Sequence, residues 1–160
     1  MPKGKLVFFC GKMGAGKTTK AKELAKQDNA VLLSEDEWLA SLYPNQIGTV
    51  EDYIKYSNQL KPQMKKLVQS ILNTGSNVVM DFPANTVAQR DWFRSIFASI
   101  GADHQMIYLE EPDEVCIERV LKRAVEQPER AATDTEGMFK AVTKHFVAPT
   151  AAEGFNITTR

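Results

Sequence analysis

Residues Gly11 to Thr18 read Gly-Lys-Met-Gly-Ala-Gly-Lys-Thr and fit the spacing G-x-x-x-x-G-K-[S/T] without a mismatch. Glycines at this spacing let a backbone curl until several N–H groups point into one concavity. At a helix N-terminus, such a nest draws phosphate through its unpaired donors and the helix dipole. Lys17 is placed to reach the β- and γ-phosphates of a nucleoside triphosphate, and the Thr18 hydroxyl to hold a bridging magnesium ion. The expected cradle is Gly11, Lys12, Met13, Gly14, Ala15, Gly16, Lys17, Thr18 and Thr19. Its expected ligands are ATP and Mg2+.

The flanking elements suit that chemistry. Leu6 to Cys10 is an apolar run of strand type, and Thr18 to Lys26 is rich in helix formers. Further strands are expected at Ala30–Leu33, Asn77–Asp81 and Gln105–Leu109, with an edge strand at Phe155–Thr158. Between them lie helical patterns. Ser34 and Glu37 form a capping-box pair, opening a helix that Pro44 ends. From Val50 to Thr74 the apolar residues recur at helical spacing, with Pro62 marking a kink or the start of a second helix. Thr86–Ile100 is another helix. The helix after Pro112 carries Cys116, Ile117, Val120, Leu121 and Ala124 on one side and Arg119, Lys122 and Arg123 on the other. Gln127–Thr133 reads as loop, and Thr133 with Glu136 as a capping box for a last helix. Strands alternating with helices predict an α/β fold with a mostly parallel sheet, its ligands beyond the carboxyl ends of the strands.

That rule selects the other reactive residues. Asp36, after the second strand, is the expected base that orients and deprotonates an acceptor hydroxyl, with Glu35 as the alternative. Asp81, ending the third strand, is the expected second magnesium ligand. Arg119 and Arg123 lie one helical turn apart and form a candidate clamp on the phosphates, with Arg130 as a third member. Trp38, Tyr43, Tyr53, Tyr56 and Phe82 belong either to an acceptor pocket or, as aromatics at helical spacing more often do, to the core. His104 and His145 lack metal-ligand partners at suitable spacing and read as structural.

The 160 residues are expected to form one domain, 1–160. Twenty basic and twenty acidic side chains cancel, which argues against a broad nucleic-acid surface. Two cysteines make no disulfide framework, and Cys10 and Cys116 read as core residues. The apolar stretch near the N-terminus is too short for a signal peptide, and no stretch approaches membrane-spanning length, so a cytoplasmic protein is expected.

Taken together, these segments resemble the small P-loop kinases grouped with polynucleotide kinase, zeta toxin and chloramphenicol phosphotransferase, an AAA-type, ATP-binding group. Leu33-Ser34-Glu35-Asp36-Glu37-Trp38 is similar to that group's second strand end, where the middle acid orients the acceptor hydroxyl. Val78 to Asn85, running on to Gln89-Arg90, resembles its third strand and following loop, which implies acceptor-side roles for Asn85 and Arg90. The stretch His145–Pro149, then Glu153-Gly154-Phe155, resembles the tail that closes over adenine. The resemblance implies a P-loop NTPase fold with five parallel strands ordered 2-3-1-4-5, flanking helices and a short lid. It implies transfer of a phosphoryl group from ATP to a hydroxyl of a small molecule or of a 5′-hydroxyl nucleotide or oligonucleotide. Asp81-Phe82-Pro83-Ala84 lacks the glycine and arginine of adenylate kinases, which argues against a nucleoside monophosphate acceptor. The alternative is an ATP-binding protein or ATPase without an acceptor. A guanine-reading Asn-Lys-x-Asp is missing, and Phe82 stands where motor ATPases usually carry a second acid. The pattern specifies neither the acceptor nor an oligomeric state.

Overall fold

The computed structural model describes residues 2–160. Five strands, β1 (Leu6–Cys10), β2 (Val31–Ser34), β3 (Val78–Pro83), β4 (His104–Tyr108) and β5 (Ile157–Thr159), form one sheet in the order β2-β3-β1-β4-β5. Every pairing is parallel, so each strand ends at the same edge of the sheet. The helices are α1 (Lys17–Gln27), α2 (Glu35–Leu42), α3 (Val50–Asn73), α4 (Val87–Phe97), α5 (Asp113–Glu126) and α6 (Glu136–Thr143). Among the described residues no helix is long and apolar enough to cross a membrane.

Side-chain alternation along the strands divides the core in two. Val7, Phe9, Val79 and Ile107 face Ala21 and Ala25 of α1. Leu6, Phe8, Cys10, Met80 and Met106 face the opposite side, where α3 supplies Leu60, Met64, Val68 and Leu72 and α4 supplies Phe93, Ile96 and Phe97. Small alanines let α1 lie close to the sheet, which holds the glycine loop tightly against the strand edge. A third cluster joins Ala15 of that loop to Cys116 of α5 and Phe139 of α6.

Several expectations change in detail. Pro62 does not divide α3, which runs unbroken for 24 residues. The carbonyl of Asn58, four residues back, loses its helical donor there, and both residues are exposed so that water can serve it. Ser34 makes no side-chain cap. It ends β2 in register with Asp81, and the first turn of α2 is tied down instead through Glu35. The cap of α6 is Thr135, whose hydroxyl accepts from Met138 N at 3.0 Å, not Thr133. A single turn, Pro128–Arg130, interrupts the expected loop after α5. Leu121, expected on an apolar face, is exposed.

Both cysteines are free and buried, and burial pushes the Cys10 thiol up to about 11. His104 is structural: it stacks on Phe97 at 3.9 Å, and its Nε2 accepts from Asn156 N at 3.0 Å. His145 is exposed. Phe82 is core, and Trp38, Tyr43, Tyr53 and Tyr56 pack partly buried against the α3/α4 side, as aromatics at helical spacing commonly do.

Candidate active site

The glycine loop spans the gap between β1 and α1 and is fixed from three directions. Gly11 N donates to the Asn85 carboxamide at 2.9 Å, fastening the loop's start to the turn after β3. Gly14 has φ +81°, and a Cβ there would lie 2.5 Å from the Cys116 carbonyl oxygen. Only a glycine lets α5 rest directly on the loop backbone. Ala15 is packed beneath Phe139. Lys17 lies across the loop, donating to the carbonyls of Gly11 and Lys12, the second at 3.2 Å. Burial lowers its pKa, opposed by the charge of Asp81.

Asp81 lies where β1 and β3 lose register. β1 and β3 pair evenly through Phe8 and Met80, and then Phe9 meets Pro83, leaving Asp81 and Phe82 as extra residues. Asp81 follows Val79 on the α1 side and meets the first turn of that helix. Thr18 Oγ1 donates to Asp81 Oδ2 at 2.7 Å. Burial raises the Asp81 pKa, and the Thr18 bond opposes the rise. Hard oxygens from one carboxylate and one hydroxyl suit magnesium, which takes few protein ligands and keeps several waters. Among the described residues no group of three or more His, Cys, Asp or Glu side chains could hold a metal by itself.

The two acids at the start of α2 have opposite surroundings. Glu35 is 3% exposed; Tyr53 donates to Oε1 and Ser57 to Oε2, the latter at 2.8 Å. Burial pushes its pKa up to about 7 against the pull of those two hydroxyls. With both oxygens occupied by α3, Glu35 ties helix to helix. The Asp36 side chain is 54% exposed, and its Oδ2 accepts from Arg130 Nη2 at 3.2 Å.

The arginines of α5 and of the turn after it part company. Arg119 donates to the Gly14 carbonyl at 3.4 Å and pairs with Glu111 at 3.8 Å, so it lies against the outer lip of the loop. Beside it opens a cavity of about 420 Å3 bordered by Gly16, Thr19, Glu111 and Arg119. Arg123, one turn on, is held by Asp134, which also holds Arg130. Pattern reading missed Asp134. The available signal was its spacing of four from Arg130 inside a polar stretch.

Asn85 and Arg90 are both buried and engaged within the fold. Asn85 spends its carboxamide on Gly11 N, and its carbonyl accepts from Val147 N at 2.8 Å. Arg90 has no exposed surface; it pairs with Glu153 at 2.8 Å and donates to the Ala84 carbonyl at 3.0 Å. Both belong to the seam that fastens the tail to the fold. Phe146 of that tail sits under the Lys12 ammonium at 5.2 Å and does not border the Arg119 cavity.

The model of a family described as "AAA domain" matches residues 6–149, and the chain belongs to that family. Among solved structures, a candidate kinase from Chloroflexus aurantiacus is similar with a TM-score of 0.79 at 17% identity, over 98% of this chain and 87% of that one. The APS kinase of Mycobacterium tuberculosis, solved with AMPPNP and APS, gives 0.69 at 20% identity over 99% and 90%. A sugar kinase from Janibacter sp. gives 0.66 at 17% identity over 99% and 85%. At these identities the likeness is one of fold.

Proposed function

We propose, from that family membership and the geometry above, that the protein transfers the γ-phosphoryl group of ATP to a hydroxyl. The acceptor is a small molecule or a 5′-hydroxyl nucleotide or oligonucleotide. The observation that carries this reading is the Thr18–Asp81 pair at 2.7 Å beside the glycine loop, with the exposed Asp36 linked to the lid across from it. In this reading the N–H groups of Gly11 to Thr19 cradle the phosphates. Thr18 and Asp81 would hold magnesium, which neutralises phosphate charge when bound.

Asp36 accepts the proton as the acceptor oxygen bonds to the γ-phosphorus; the bond to the bridging oxygen breaks, and its electron pair leaves with ADP. Lys17, Arg119 and Arg123 supply positive charge to the phosphate oxygens. Asp36 rather than Glu35 takes this part because a base must reach the hydroxyl it deprotonates, and Glu35 is enclosed.

The test is to incubate the protein with Mg-ATP and a panel of sugars, aminoglycosides, nucleosides and 5′-hydroxyl oligonucleotides, following ADP release and product mass. One acceptor should raise ADP release and gain one phosphoryl group in equal amount. ADP formed at the same rate with every acceptor, and with none, would make the protein an ATPase.

A further inference from the structure

Between α5 and α6, the Asp134 side chain has no exposed surface and is gripped by two cations. Arg123 Nε donates to its Oδ2 at 2.7 Å and Nη2 to its Oδ1 at 2.9 Å. Arg130 Nε donates to the same Oδ2 at 2.8 Å. A buried carboxylate is costly unless its charge is matched, and here it is over-matched, leaving the trio with net positive charge. Arg130 then turns Nη2 to Asp36 at 3.2 Å.

The Nη1 groups of both arginines make no hydrogen bond among the described residues. Two guanidinium groups are therefore pinned along one edge, each with the two N–H donors of Nη1 left over. The trio also has a rigid seat: α5 lies on the Gly14 backbone, and Phe139 of α6 packs on Ala15. Lys17 senses it too, for burial first and the charge of Arg123 last hold that ammonium below its ordinary pKa.

We infer that Asp134 is a positioning residue, holding Arg123 and Arg130 as one cationic unit over the phosphate cradle to receive the terminal phosphate of a nucleoside triphosphate. The inference rests on the phosphotransfer reading, and it acts through Arg123 and Arg130, not by contact with substrate. A purely structural acid would instead lower stability and weaken all nucleotides alike.

The experiment compares binding of AMP-PNP and of ADP, each with magnesium, by titration calorimetry, and needs no acceptor. In Asp134→Asn the preference for AMP-PNP over ADP should fall about tenfold while ADP affinity stays within about twofold. Combined with Arg123→Ala, it should add no further loss, because both changes remove one unit. If Asp134→Asn does not fold, Arg123→Lys serves: it keeps the charge but loses the two-point grip, and the same fall is expected. An unchanged preference, a raised one, or losses that add in the double variant would overturn the inference while the phosphotransfer reading stands. A wild-type protein that binds neither nucleotide would overturn both.

Discussion

The cradle and the wall opposite it are built on different principles. The cradle is eight consecutive residues, Gly11 to Thr18, whose shape follows from local glycines and a helix start. The facing wall joins Asp36 from α2, Arg123 from α5, Arg130 from the turn after it and Asp134 from the approach to α6. One region is contiguous in the sequence, though distant segments fasten it; the other exists only when distant segments meet. Damage to the cradle should therefore act on every phosphate, and damage to the wall on the terminal phosphate alone, in its binding or its transfer.

Lys17→Ala should break the comparison most severely, cutting turnover about a thousandfold with weakened ATP binding, read by ADP release and nucleotide titration. Unchanged values of both would remove the lysine from the cradle. Asp36→Asn should sharpen the contrast: transfer falls about a hundredfold while ATP affinity changes less than about twofold. Transfer at the wild-type rate would place the base elsewhere.

Glu35 gives a pH signature. Its folded pKa, raised to about 7 by burial, lies above the ordinary carboxylate value of 4.5. The unfolded chain releases this proton first, so the contribution of Glu35 to stability is full below that ordinary value and is lost as pH rises to about 7. The Tyr53 and Ser57 hydroxyls and the Lys61 ammonium oppose the rise, and the Asp36 charge adds to it. Melting curves from pH 4 to 8 should show a slope that Glu35→Gln flattens, with a span of about 3 kcal/mol across the window. A variant with the wild-type slope would mean that another group titrates there.

The smallest effect is expected at the join between the two regions. Asn85→Ala leaves Gly11 N without its 2.9 Å acceptor and should cost about 1–3 kcal/mol in a denaturant titration. A wild-type midpoint would show that water replaces the carboxamide.

Glycine spacing, strand periodicity and alternating elements made the cradle, the parallel sheet and the carboxyl-end location of the site legible without coordinates, because each is a local property of the chain. The strand order came from family likeness and stands in the observed sheet. Motif similarity marks Asn85 and Arg90 as positions near the site without telling which way their side chains turn. In the folded chain Asn85 secures the loop, and Arg90 secures the tail through Glu153. Glu35 and Asp36 are neighbours of like chemistry, and no pattern in one dimension distinguishes the acid sealed under Tyr53 from the one left open to Arg130. By itself the sequence determined what could grip a phosphate, since backbone curvature and helix polarity act over a few residues. Tertiary structure alone decided which acid stays exposed and that Asp134 gathers the lid arginines, since burial and charge pairing depend on segments brought together only by packing.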